Sequence, residues 1–122
     1  RYCAARHALV SFSGRAWGFI DEALASLGRE RKVVITVNQF FTAGRVVSGS
    51  DLLTVLPRHF VPVTGIADAL VQRALPLDVP AVHVDALWRR RGPQQAAMTW
   101  LLQALARSAR RTFPGQDLHG TP

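Results

Sequence analysis

The chain holds a single cysteine, Cys3, among its 122 residues. No intrachain disulfide can form, so the fold must rest on its core, which suits a reducing cytoplasm. One thiol cannot build a zinc site without histidine or carboxylate help. His7, His59, His83 and His119 show no short metal-ligand spacing, so no metal or cofactor is expected. Long apolar runs are missing as well; none approaches the length that spans a bilayer, and no membrane partner is expected. The opening stretch RYCAARHALV carries positive charge but lacks the clean apolar segment and cleavage site of a signal peptide. G-x-S-x-G is absent around Ser11 and Ser13, and G-x-x-x-x-G-K is absent throughout, which removes the nucleophile elbow and the P-loop. Ser, His and Asp occur at no spacing that suggests a triad. An enzyme has no positive support. Internal repeats and low-complexity blocks are also lacking.

What is present is an ordinary globular composition, 48% hydrophobic and 19% charged, with a length that suits one domain or a piece of a larger one. The formal charge is +7, from 15 basic and 8 acidic residues. Such an excess is compatible with nucleic-acid binding. The charges are scattered, however, and a solvated surface explains them better. Dense runs occur only at WRRR (Trp88 to Arg91) and ARSARR (Ala106 to Arg111). The second ends a predicted helix, where cations complement the helix dipole.

Along the chain, HALVSF (His7 to Phe12) reads as a buried strand. Ser13 is a candidate N-cap for the helix that follows. Phe19, Ile20, Ala23, Leu24 and Leu27 share one helical face, and Gly28 is placed to end it. KVVITV (Lys32 to Val37) predicts a second strand. A second helix spans about Phe40 to Val47, with Asn38 or Gln39 near its start. DLLTVL (Asp51 to Leu56) predicts a third strand ended by Pro57, and IADALVQRA (Ile66 to Ala74) a third helix. Pro76 and Pro80 keep the next stretch extended. The last helix begins near Pro93 and carries the apolar stripe Ala97, Trp100, Leu101, Ala104 and Leu105. The tail is rich in Pro and Gly and reads as frayed. Apolar strands alternating with helices predict an α/β fold with a parallel sheet.

In such sheets ligands bind beyond the carboxyl ends of the strands. That rule selects Ser11 to Arg15, Asn38 to Phe41 and Leu56 to His59. Ser11 and Ser13 offer hydroxyls, Gly14 permits close backbone approach, and Arg15 suits a carboxylate. A helix starting here would add free N–H groups. Phe40 and Leu56 supply an apolar wall. The set fits a small organic acid, an aromatic one included. Each residue also has a plainer role: Ser13 and Asn38 as caps, Phe40 as core, Arg15 as a solvated cation. The three tryptophans read as packing residues.

The stretch from His7 to Phe60 resembles the second lobe of the effector-binding domain of LysR-type transcriptional regulators. The resemblance is carried by Ser11 to Gly14, Leu27-Gly28, Arg31 to Val37, Phe40 and Asp51 to Pro57. LWRRRGPQQAAMTWLLQAL is similar to the family's closing strand and helix, with its Trp-Leu pair at Trp100-Leu101. The likeness covers about residues 5 to 107. It implies a lobe resembling a type 2 periplasmic binding protein over residues 1–80, a return strand and helix of the first lobe over 81–112, and a flexible tail over 113–122. It further implies a bacterial, cytoplasmic, non-catalytic regulator. Such a regulator is a homodimer or tetramer, contacts DNA only through an amino-terminal helix-turn-helix absent from this chain, and binds a small inducer in its cleft. Carried over by position, the cleft side comprises Ser11, Ser13, Gly14, Asn38, Gln39, Phe40, Leu56 and Pro57. Where the family often has Pro or another small residue, Asn38 and Gln39 suggest a polar inducer group or a self-satisfied turn.

The chain reads as the carboxyl-terminal part of a longer regulator, with self-association or a partner chain expected at Val82 to Trp88 and along the final helix. The alternatives are a solute-binding module of the same fold serving transport, a small α/β enzyme dependent on Ser13 or His59, and direct DNA binding with a steep salt dependence.

Overall fold

The structure, a computed structural model, describes residues 1–81, 84–88 and 95–114. The chain divides into two compact units, Arg1–Ala81 and Val82–Pro122.

In the first unit, β1 (Arg6–Val10) pairs in parallel with β2 (Lys32–Val37). The register runs from Arg6 opposite Lys32 to Val10 opposite Val37, with one irregularity between His7 and Ala8. On the other side of β1, Ala8 N–H donates to Leu53 O at 2.8 Å and Leu53 N–H to Arg6 O at 2.9 Å. β1 is therefore the middle line of the sheet. Its His7 and Ala8 are fully buried, whereas Val34 and Ile35 of β2 are about 40% exposed.

The crossover α1 (Phe19–Ser26) buries Ile20, Asp21 and Leu24. Of the face read from the sequence, Ile20 and Leu24 are buried, whereas Phe19 and Leu27 are 48% and 64% exposed. It ends as expected: Gly28 adopts φ +65°, Gly28 N–H donates to Ala25 O at 2.9 Å, and Arg29 N–H reaches Leu24 O at 2.9 Å. This is a Schellman motif, which needs the left-handed backbone that glycine adopts without a Cβ clash. The second crossover, α2 (Phe40–Ser48), packs on both strands and buries Ala43 and Gly44. Ala8, Ile20, Leu24, Ala43 and Val61 make the apolar core.

Three expectations are corrected. Ser13 caps no helix, because α1 starts at Phe19 with Gly18 as its cap. Asp21 sets that start by accepting Gly18 N–H at 2.9 Å. The third strand shrinks to one bridge at Leu53 opposite His7, with Pro57 offering no N–H to extend it. The third helix shrinks to a single 3-10 turn, Ala67–Ala69, followed by extended Leu70. Nine residues nucleate a helix only when a face is buried, and Val71 is 82% exposed. Pro76 also disfavours helical backbone at Leu75.

In the second unit, α3 (Gln95–Thr112) is the one helix among the described residues. No residue of it is buried, and Trp100, Leu101 and Leu105 of the expected stripe are 65%, 42% and 49% exposed. Val82, His83, the stretch from Arg89 to Gln94, and most of the tail lie outside the described residues. No helix among the described residues is long and apolar enough to cross a membrane.

Candidate functional site

Parallel pairing puts the carboxyl ends of β1 and β2 at one edge. Ser11 N–H donates to Val37 O at 2.8 Å, which ties the two strand exits together. Beyond this tie the chain turns on Gly14, whose φ of +75° is left-handed, with Gly14 N–H near Ser11 O at 3.4 Å. The turn gathers polar groups. Ser11 Oγ lies 3.4 Å from Ser13 Oγ, and Arg15 Nε donates to Ser13 Oγ at 3.4 Å. Ser11 is buried; Ser13 and Arg15 are exposed. Among the described residues no carboxylate pairs with Arg15. Two hydroxyls and an uncompensated guanidinium can together receive a carboxylate.

Asn38 and Gln39 are both exposed. Gln39 occupies the cap position of α2 in extended backbone, without a side-chain cap bond. Asn38 precedes that position, so its expected capping role is corrected.

Phe40 is half-buried within a chain of rings. It meets Phe12 edge-on at 6.1 Å and Phe60 at 5.1 Å, and Phe60 meets Phe41 at 4.9 Å. Edge-to-face contacts at these distances stabilise by about 0.5–1.5 kcal/mol each beyond burial. Phe12 and Phe41 lie within the loops selected from the sequence but were not singled out there, and Phe60 lies one residue beyond the third loop. A signal existed: each of the three selected loops, or the residue beside it, carries a phenylalanine. Phe12 is 80% exposed, so one ring face is open beside the serines.

Leu56 lines a cavity of about 400 Å³ with Tyr2, Leu53, Val61 and Leu70. Pro57 is exposed, and its carbonyl accepts Phe60 N–H at 2.9 Å. A second cavity, about 550 Å³, opens at the amino end of β2 beside Trp17, Asp21 and Arg31. Neither cavity includes Ser11, Ser13, Gly14, Asn38, Gln39 or Phe40. The polar and aromatic groups thus stand on an open edge, and their chemistry, not enclosure, marks it. Among the described residues no three His, Cys, Asp or Glu side chains are placed to hold a metal ion.

Behind the edge sits a buried ion pair. Arg31 Nε donates to Asp21 Oδ1 at 2.8 Å and Arg31 Nη2 to Asp21 Oδ2 at 3.0 Å, with side chains 1% and 7% exposed. Burial pushes the Asp21 carboxyl up, but the Arg31 hydrogen bonds and charge outweigh it and hold the group below its ordinary range. Arg31 Nη1 also reaches Tyr2 Oη at 3.3 Å. Burial raises the Tyr2 phenol, with Arg31 opposing.

Against known proteins, the family model described as the LysR substrate binding domain matches residues 4–110. The chain is 27% identical over 117 residues to the HTH-type transcriptional regulator SyrM 1 of Sinorhizobium fredii, covering 95% of this chain and 35% of that protein. It is 23% identical over 105 residues to the HTH-type transcriptional activator NahR of Pseudomonas putida, covering 86% and 35%. Among solved structures, the regulatory domain of MexT, a transcriptional activator in Pseudomonas aeruginosa, superposes with a TM-score of 0.69 at 33% identity, covering 87% of this chain and 53% of that one. A probable transcriptional regulator from Pseudomonas aeruginosa gives 0.59 at 32% identity, covering 65% and 26%. These relatives are regulators and lend no support to the transport reading, and this chain spans 35% of the length of SyrM 1 and of NahR. With its family model matched over residues 4–110, the chain belongs to the LysR substrate binding domain family of transcriptional regulators.

Proposed function

We propose that this chain is the effector-sensing part of a bacterial, cytoplasmic LysR-type regulator, that it performs no catalysis, and that its ligand is a small organic acid with an aromatic or otherwise flat body. One observation carries the reading. The Arg15 guanidinium, with no carboxylate partner among the described residues, stands with the Ser11 and Ser13 hydroxyls beside the exposed Phe12 ring at the carboxyl edge of a parallel sheet. The carboxylate would meet Arg15 and Ser13, and the flat body would lie along Phe12 and Phe40. Asn38 and Gln39 would serve a polar substituent. Leu56 and Pro57 would border the site at most, given the separate cavity that Leu56 lines.

Residues 1–80 would form the second lobe, and 81–112 the strand and helix that return to the first. Ligand held between lobes changes their arrangement only if it binds one arrangement better than the other. DNA would be contacted by a helix-turn-helix elsewhere in the regulator. The exposed Trp100, Leu101 and Leu105 support a covered face on α3, in a homodimer or tetramer or against the first lobe.

Thermal melts against a panel of aliphatic and aromatic carboxylates test the reading. A ligand that prefers the folded state raises its melting temperature by mass action. An aromatic acid should raise it, and Arg15→Ala and Phe40→Ala should remove the rise. A shift caused equally by uncharged analogues would contradict it.

A further inference from the structure

We infer that Asp21 and Arg31 are positioning residues for the loop that presents Ser13 and Arg15, an inference that rests on the proposed effector site. The loop from Phe12 to Trp17 leaves the sheet at one fixed point and enters α1 at another. Its first fixed point is Ser11 N–H on Val37 O, 2.8 Å. Its second is Gly18 N–H on Asp21 Oδ2, 2.9 Å. Between them the only hydrogen bonds among the described residues are three contacts of 3.4 Å within the turn itself, beside the edge contact of the Phe12 ring with Phe40. Loop geometry is therefore set at its two ends.

The second end is held by more than one bond. Gly18 packs closely enough that an added Cβ would lie 3.6 Å from Leu9 Cδ1 and 3.8 Å from Asp21 Oδ2. Arg31 grips both oxygens of Asp21, which fixes the direction in which Oδ2 faces Gly18. Arg31 directly precedes β2, and Val37 ends it. One strand thus holds both ends of the loop: its start through Arg31 and Asp21, its finish through the Val37 carbonyl. The same finish leads into Asn38, Gln39 and Phe40. The spacing between the serine–arginine turn and the amide–phenyl turn is set along a single strand, and the ion pair is the link at its far end. The pair lies away from the proposed ligand and acts through the loop.

The test compares the chain with two paired variants. Asp21→Ala/Arg31→Met removes the Gly18 acceptor without leaving a buried charge alone. Asp21→Asn/Arg31→Gln restores an amide oxygen for Gly18 N–H. Benzoate, the simplest aromatic carboxylate, is the probe, and hydrogen exchange of the loop amides is read in its absence. In the first variant, loop amides should exchange about tenfold faster with β1 and β2 unchanged, and benzoate should bind roughly tenfold more weakly, because preorganisation is lost. The amide pair should recover most of both. Should the apolar pair not fold, Arg31→Lys, which keeps the charge but cannot grip both oxygens, should move both readouts the same way by less. Unchanged loop exchange in a folded variant overturns the inference. So does faster exchange with unchanged affinity while Arg15→Ala weakens binding. Benzoate binding that Arg15→Ala leaves intact, or none in the unaltered chain, overturns the site reading instead, and loop exchange alone then judges the ion pair.

Discussion

Residues 6–49 and residues 51–81 belong to one unit and are both rich in apolar side chains, yet they fold differently. The first stretch forms β1, α1, β2 and α2 and supplies all the buried residues of the unit except Val61. The second forms three 3-10 turns and one bridge. Proline separates them. None precedes Pro57, whereas Pro57, Pro62, Pro76 and Pro80 interrupt the second stretch. Each removes a backbone donor and restricts the residue before it, so neither a ladder nor a helix can propagate. The proposed site draws on both kinds of chain. Its serine, arginine and amide groups come from the regular body, and Phe60 reaches in from the irregular stretch.

The comparison breaks most visibly at the ion pair. Arg31→Ala alone should cost about 3–5 kcal/mol in urea unfolding, because it leaves a buried Asp21 carboxylate unpaired. A cost under about 1 kcal/mol, normal for exposed pairs, would mean that the pair does not hold the body together. The next effect is in the core. Ile20→Ala, at 2% exposure, should cost about 2–5 kcal/mol. Val71→Ala in the irregular stretch, at 82% exposure, should stay within about 0.5 kcal/mol. Equal costs at the two positions would erase the distinction between the stretches.

Acid should act on the body first, through His7. Its Nε2–H donates to Tyr2 O at 3.0 Å, while the buried Nδ1 has no partner among the described residues. Burial lowers the His7 value below the ordinary 6.5. The unfolded chain therefore takes up the proton first, and stability should fall as pH drops below about 6.5 towards the depressed folded value. Asp21 acts in the same direction at lower pH. Its depressed value means stability present above the ordinary 3.8 and lost as pH falls through the folded value. Urea midpoints from pH 7.5 to 5 should decline, and His7→Gln should flatten the decline. A midpoint constant over that range would show that His7 does not titrate with folding.

The smallest effect joins the two stretches. Gly44 of α2 faces the turn at Thr64 and Ile66. An added Cβ there would meet Ile66 Cδ1 at 3.5 Å and Thr64 Cγ2 at 3.6 Å, ordinary van der Waals distances. Gly44→Ala should stabilise by about 0.5–1 kcal/mol through helix propensity. A loss of stability would mean that the turn packs more tightly on α2 than these distances imply.

What the sequence made legible follows the same division. β1, β2, α2 and the end of α1 at Gly28 were readable because each is signalled within a few residues, by an apolar run or a glycine stop. The start of α1 was not. Ser13 is a good cap by type, but Gly18 wins because Asp21 accepts its N–H and is itself held by Arg31, ten residues on. The third strand and third helix were over-read because their apolar patterns satisfy a local rule while proline and missing burial decide otherwise. Ser11, Ser13 and Phe40 were placed at the carboxyl edge of the sheet by its topology. The ring chain through Phe12, Phe41 and Phe60 was not legible, since it joins three loops that meet only in the folded chain.

The central claim is that the carboxyl edge of β1 and β2 receives an organic acid. The most direct measurement is a titration of the isotope-labelled chain with benzoate, followed amide by amide in solution NMR. The account predicts that the perturbed amides cluster at Ser11 to Arg15 and Asn38 to Phe41. Perturbations gathered instead around Leu53 to Leu56 and Leu70, or around Trp17 and Lys32, would place the ligand in one of the two cavities and contradict it.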